Sequence, residues 1–455
     1  MFGKLFGNKS KNEAPEATPP VAPSKASSQA PPVTAKAQPP APSVPPIEPA
    51  PRPPATAGDG VASVSRTAQA GAAHAADVAG VIEQAIRAGA AGNGAPITPD
   101  AVKALRTAAE SLATADDVAA AQAIAAFNAG RLMDGFQALR QDADAQTGPA
   151  QVERLRRLGA LAFLVDGGAS MQAYLDAWRL DQRDFWNGVY LARLQGLGGA
   201  IAMAKATMEQ AIAEARTPSD RSQGEAELAL IALGLNDADG ARRHGQAAVD
   251  VLRPAQAPLD LAARLSLLGD IAVMITDGAM AAAAYGEALQ ITKGLGAQAP
   301  SDITLARAAA DTQEKLAAVI SRQNRHADAI AAGAQAVDLR RRLAAARPGE
   351  PLDVAALATV LNTFGEIHRL AGDAAAAAGA NREAVAQGRK VLALAANHAG
   401  AHREIWVGLW RLADAGAASW AEVKTALQAA KAEGALLDRD VKFLSEAERR
   451  AGGAT

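Results

Sequence analysis

The residues from Leu261 to Gln387 repeat one pattern three times, and this repeat constrains the fold more than any other feature. The first copy reads Leu268-Gly269, then Ala281, Tyr285 and Ala288. The second reads Leu316-Ala317, then Ala329, Gly333 and Ala336, and the third Phe364-Gly365, then Ala377, Asn381 and Ala384. Leu268, Leu316 and Phe364 stand 48 residues apart, and the inner spacings agree. A constant step of about 20–50 residues marks a stack of like units, each covering its apolar face with the next.

Each copy reads as two helices. Between Asp353 and Leu370, the apolar Val360, Leu361, Phe364 and Ile367 keep the three-four spacing of an amphipathic helix. Ala371-Gly372-Asp373 interrupts it, and an alanine-dense second helix runs to about residue 395. Small residues fall where the two helices must approach most closely: Gly365 on the first, Ala377 and Ala384 on the second. The slot between the two alanines is Tyr285 in the first copy and Gly333 and Asn381 in the others. The chain is 49% hydrophobic but only 4% aromatic, so alanine and leucine must do the packing. That suits closely stacked helices and argues against a β-rich core.

These residues resemble the tetratricopeptide repeat, which has Leu-Gly on its first helix and Ala-x3-aromatic on its second. The usual step is about 34 residues. Here the segment from Arg340 to Ala346, closed by Arg347-Pro348-Gly349, supplies the excess and lengthens the second helix before a Pro-Gly stop. The unit is similar to the long-period tetratricopeptide arrays of bacterial proteins. The resemblance implies an all-α fold, a right-handed superhelical α-solenoid of helix pairs, preceded here by a disordered Pro-rich tail.

Four regions are expected. Residues 1–12 place Phe2, Leu5 and Phe6 beside Lys4, Lys9 and Lys11. This short amphipathic segment reads as a weak, reversible anchor for an anionic membrane surface, as a docking peptide, or as a frayed tail. Gly3 and Gly7 favour the tail by lowering helix propensity. Residues 13–58 hold 15 of the 24 prolines and read as a disordered, semi-rigid spacer. Residues 59–149 form an Ala-rich helical preface. Its helices are expected at Ala62 to Ala88, at Ala101 to Leu112 after the Thr98-Pro99-Asp100 start, and at Asp116 to Gln141. Residues 150–455 form the solenoid. Leu158-Gly159 with Tyr174 and Ala177 opens it irregularly, Trp406 to Ala413 and Trp420 to Leu427 make a modified last pair, and Asp438 to Arg450 caps the exposed end.

Composition removes several function classes. The chain has no cysteine, which excludes disulfides and thiolate chemistry. A net charge of −2 gives no reason to expect nucleic-acid binding. No run of about 18 apolar residues is present to span a membrane. No apolar stretch of the secretory kind follows the N-terminal lysine, so a cytoplasmic protein is expected. His398 and His402 stand four apart, as a metal pair would on a helix, but Gly400 lies between them and no His-Glu-x-x-His motif is formed. No catalytic residue, cofactor site or metal site is expected. Arg340, Arg341 and Arg342 read as a solvated face near a helix C-terminus in preference to a patch for an acidic partner. His368 falls on the packing stripe and reads as semi-buried.

The sharper candidates lie on a second stripe of the first helices: Ser266 and Asp270, then Asp311 and Glu314, then Asn362, Glu366 and Arg369. In the family this chain resembles, that face lines the concave groove in which extended peptides lie. The stripe leans acidic, so a basic or polar protein segment or peptide is the expected partner. The leading expectation is a non-enzymatic interaction scaffold binding its partner in the groove. The alternative is a peripheral adaptor held at the inner face of the membrane by residues 1–12. An enzyme or a self-assembling structural protein fits less well, and the oligomeric state is not legible.

Overall fold

The computed structural model describes residues 78–82, 99–115, 118–396 and 398–453, and those residues contain helices and turns but no strand. After α1 (78–82) come α2 (Pro99–Ala113), α3 (Val118–Asn128) and α4 (Leu132–Asp144). Antiparallel-style pairs follow: α5 (Gly148–Ala162) with α6 (Gly167–Leu180), α7 (Phe185–Leu197) with α8 (Ile201–Ile212), and α9 (Pro218–Gly234) with α10 (Ala238–Leu252). The long copies are α11 (Pro258–Met274) with α12 (Gly278–Gln298), α13 (Ile303–Arg322) with α14 (His326–Ala346), and α15 (Pro351–Leu370) with α16 (Ala374–Leu394). The array ends with α17 (Ala399–Asp414), α18 (Trp420–Ala432) and α19 (Val441–Ala451). It is an all-α solenoid of successive helix pairs. The N-terminal segment with Phe2, Lys4, Leu5, Phe6 and Lys9, the Pro-rich stretch and most of the helix expected at Ala62 to Ala88 lie outside the described residues.

Local chemistry sets the helix ends. Pro218, Pro258 and Pro351 open α9, α11 and α15, where a missing N–H costs nothing. Asp237, Asp277 and Asp373 each accept an amide in the first turn of the second helix they precede. Thr217 with Asp220 and Ser419 with Glu422 form capping boxes. The turn inside each of these pairs uses one left-handed residue: Asn236 (φ 58°), Thr276 (61°), Asn324 (60°) and Gly372 (83°). The single helix expected from Asp116 to Gln141 is instead broken into α3 and α4. Gly130 turns back in the left-handed region at φ 74°, which brings Gly135 under the Phe127 ring.

The small residues of the repeat sit where expected from its logic. Tyr285 lies over Gly269, Asn381 over Gly365 and, in the first irregular pair, Tyr174 over Gly159. A Cβ would come within 2.5 Å of Asn381 at Gly365 and 2.9 Å of the Tyr174 ring at Gly159. The second long copy has no bulky group in this slot. Its Gly333 instead receives Phe364 from the next first helix, 2.6 Å from where a Cβ would stand.

Buried apolar side chains run continuously from Val78 through α2–α8 to Ile231, so the opening helices and the first pairs share one core. At the other end, α19 covers the last pair with buried Leu444 and Ala447. Phe443 meets Trp406 and Trp410 there, and the Arg450 guanidinium stands 4.3 Å over the Trp420 ring. First helices also reach the next first helix directly: α7 to α9, α9 to α11, α13 to α15 and α15 to α17. Second helices of successive pairs do not pack on one another to that degree, which puts the first helices on the shorter, inner side. Among the described residues no helix is long and apolar enough to cross a membrane.

Candidate partner-binding face

On the inner side, polar residues about one repeat apart join consecutive first helices. Asp270 of α11 accepts the Tyr285 hydroxyl at 2.5 Å and Lys315 Nζ of α13 at 2.7 Å. Burial, and then the Asp270 carboxylate, push the Tyr285 hydroxyl well up and keep it protonated. Ser266 is half-buried one turn earlier on the same helix. Farther back, Arg193 pairs with Glu227, and farther on Arg307 forms a bidentate pair with Asp353, both bonds at 2.7 Å.

The densest cluster spans α13, α15 and α17. Asp311 accepts Arg340, which reaches over from α14. Glu314 is half-buried and takes one hydrogen bond, from Thr363 Oγ1 at 2.9 Å, with no ion pair among the described residues. Its burial, with Asp311 and Glu404 nearby, raises its pKa from 4.5 to about 7. Asn362 is only 3% exposed. Its Nδ2 donates to the Glu404 carbonyl at 2.9 Å and to Glu404 Oε2 at 2.8 Å, while its Oδ1 is buried without a partner. Glu366 accepts Arg369 at 2.6 and 2.9 Å and lies 3.7 Å from Arg411 Nε. Those arginines, Arg369 first, hold its carboxyl below the usual range.

The stripe residues Asp311, Glu314, Asn362, Glu366 and Arg369 therefore come together, with Ser266 and Asp270 one pair earlier. Glu404, Arg411 and Thr363 complete the cluster and were absent from the sequence reading. The repeat itself carries the signal that points to them. Thr363 lies 49 residues from Glu314, and Glu404 lies 42 from Asn362, each about one step along the stack.

The arginine run divides in a way that the expected solvated face does not describe. Arg340 is 4% exposed and tied to Asp311. Arg341 spans to Glu383 of α16 at 2.6 Å, and Arg342 pairs with Asp338 one turn back in the open. Lengthening α14 carries Arg340 inward against α13 because the run turns about 100° per residue. His398 caps α17, its Nδ1 accepting the Ala401 amide at 3.1 Å, and the His402 ring meets the Ala396 carbonyl at 3.2 Å. His368 is 9% exposed, edge-on to Phe364. Among the described residues no group of histidines and carboxylates is arranged to hold a metal ion.

No protein-family model matches the chain, and no curated protein matches it in sequence. Similar solved structures include a tetratricopeptide repeat protein from Parabacteroides merdae, at 13% identity over 64% of this chain and 97% of that one, with a TM-score of 0.40. Yeast Tom70 matches at 12% identity over 78% of this chain and 65% of its own, with a TM-score of 0.45. BtubC from P. vanneervenii matches at 16% over 61% and 92%, with a TM-score of 0.38. By its own helix pairs and 48-residue step, the present chain is an all-α helical-repeat solenoid whose repeat resembles the tetratricopeptide unit.

Proposed function

We propose that the protein is a non-enzymatic adaptor whose first-helix face binds a basic segment of a partner protein. Glu314 carries this reading. It is a half-buried carboxyl that forms no ion pair among the described residues, with Asp311 and Glu404 close by and Arg340 committed to Asp311. A lysine or arginine side chain laid across α13 and α15 supplies a positive charge that Glu314 can pair with. Partial burial makes such a pair stronger and less screened than one on an open surface. Ser266, Asp270, Asp311, Glu366 and Arg369 extend the same face and would set the register of the bound segment.

The test is selection of peptides from a random displayed library on the immobilised full chain, beside a Glu314→Lys variant. Enrichment of lysine- or arginine-bearing peptides by the parent, lost in the variant, supports the reading. Selection without basic residues, or identical selection by both proteins, refutes it.

A further inference from the structure

The chain spends its aromatic residues unevenly. Phe163, Tyr174, Trp178, Phe185, Trp186 and Tyr190 fall within a short stretch of a sequence that is 4% aromatic. Tyr174 and Tyr190 stack at 5.5 Å between centroids, and Trp186 leans on Tyr190 at 5.8 Å. Tyr174, Trp186 and Tyr190 wall a cavity of about 480 Å³ that opens to solvent and is lined by residues of α2, α5, α6 and α7. That volume falls within the roughly 300–1,000 Å³ range of small-molecule sites.

Two polar groups in this cavity, the Arg157 guanidinium and the Asn187 Oδ1, have no partner among the described residues. Arg157 lines it at 8% exposure and makes no hydrogen bond or ion pair among the described residues. Its neighbour Arg156 differs, being paired with Asp181 at 3.3 Å and Asp184 at 3.2 Å. Asn187 lines the same cavity at 2% exposure. Its Nδ2 is used by the Tyr174 carbonyl at 3.2 Å, but its Oδ1 is buried with no partner. A buried guanidinium without an anion is costly, and so is an orphaned amide oxygen. One ligand removes both costs: an anion for Arg157, a donor for Asn187 and an apolar body against the aromatic wall. A carboxylate fits the planar fork of arginine with two parallel bonds.

We infer that this cavity is a second binding site, separate from the acidic face, for a small organic carboxylate with an aromatic or branched apolar body and one N–H or O–H donor. It does not depend on the peptide reading of α11–α17. The cavity wall sets Lys103, Arg156 and Arg157 against Glu153 and Asp184, a net of +1, which matches a single negative charge.

N-Acetyl-L-phenylalanine carries all three features and is the probe; its primary amide keeps the shape but removes the charge and one of the two acceptor oxygens. Calorimetric titration of the full chain should show saturable binding of the acid at least about tenfold tighter than the amide, a gap of about 1.4 kcal/mol. Arg157→Met should abolish the preference and Arg157→Lys should keep part of it, with far-ultraviolet circular dichroism confirming that each variant is folded. A blocked peptide containing Phe-Asp presents the same groups within a chain. Its binding in preference to the free acid, with the same dependence on Arg157, assigns the carboxylate to a peptide source. Should Arg157→Met fail to fold, the acid-to-amide comparison on the parent decides alone. Equal affinity for acid and amide, or no saturable binding of any probe, overturns the inference.

Discussion

The ring of Tyr285 rests directly on Gly269, so close that a methyl group at that glycine would overlap the ring carbons. The contact joins the two helices of the first long copy, and the Tyr285 hydroxyl then reaches Asp270 beside it. Gly269→Ala therefore gains helix propensity of about 1 kcal/mol yet should destabilise the protein by roughly 1–3 kcal/mol through overpacking. The effect should shrink in a Tyr285→Ala background, where the methyl has room. Thermal unfolding of the two single variants and the double variant measures this coupling, and strict additivity would show that the contact is not tight.

The pair formed by half-buried Arg307 and buried Asp353 gives a second prediction. Asp353 is 1% exposed and depends on a bidentate bond from the preceding first helix, with Arg347 farther off at 3.6 Å. Arg307→Met strands the carboxylate and should cost about 3 kcal/mol. The double change Arg307→Met with Asp353→Leu should recover most of that loss. Urea unfolding reads both.

The arginine run should divide by burial. Asp311→Asn leaves the buried Arg340 guanidinium without its partner and should lower stability by about 1–3 kcal/mol. Arg342→Ala, in the open beside Asp338, should change it by less than about 0.5 kcal/mol. Equal effects would contradict the inward placement of Arg340.

How much could be read beforehand follows from the physics. The helix pairs, their start and stop residues and the Gly-aromatic slot depend on spacing within one copy, and the sequence displays them. Arg340's burial depends on how far α14 turns before it reaches α13, which local pattern does not encode. The break at Gly130 was missed because the alanine-rich flanks keep helical periodicity on both sides. The ties of Glu314 to Thr363 and Asn362 to Glu404 cross from one repeat to the next. They become legible only when the 48-residue step is used to lay first helices side by side.

Thr276 supplies a prediction that improves the protein. It is exposed and held at φ 61°, a region that costs a β-branched residue, whereas the equivalent position one repeat later is Asn324. Thr276→Asn should raise stability by about 0.5–1 kcal/mol, since asparagine tolerates this conformation. A melting temperature that stays level or falls would show that the turn is unstrained.

Glu314 predicts a pH dependence of definite sign. Its folded pKa of about 7 exceeds the ordinary carboxylate value, so the folded state holds the proton to higher pH than the unfolded chain. Stability therefore falls as pH rises from the ordinary value through about 7, and the penalty is complete above it. Glu314→Gln should stabilise the protein at pH 8 by on the order of 1–2 kcal/mol and have little effect near pH 4.5. A basic ligand should correspondingly bind more tightly at pH 8 than at pH 6, where the carboxyl is largely protonated.

The placement of the partner on the first helices is tested most directly by site-specific photocrosslinking. A photoreactive phenylalanine analogue would replace Ser266 on α11 in one full-length protein and the exposed Gln290 on α12 in another. Each would be irradiated with a lysine-rich peptide selected on the parent protein. Crosslinking from position 266 and none from position 290 is the predicted result. Crosslinking from position 290 alone would place the partner on the outer helices and contradict the account.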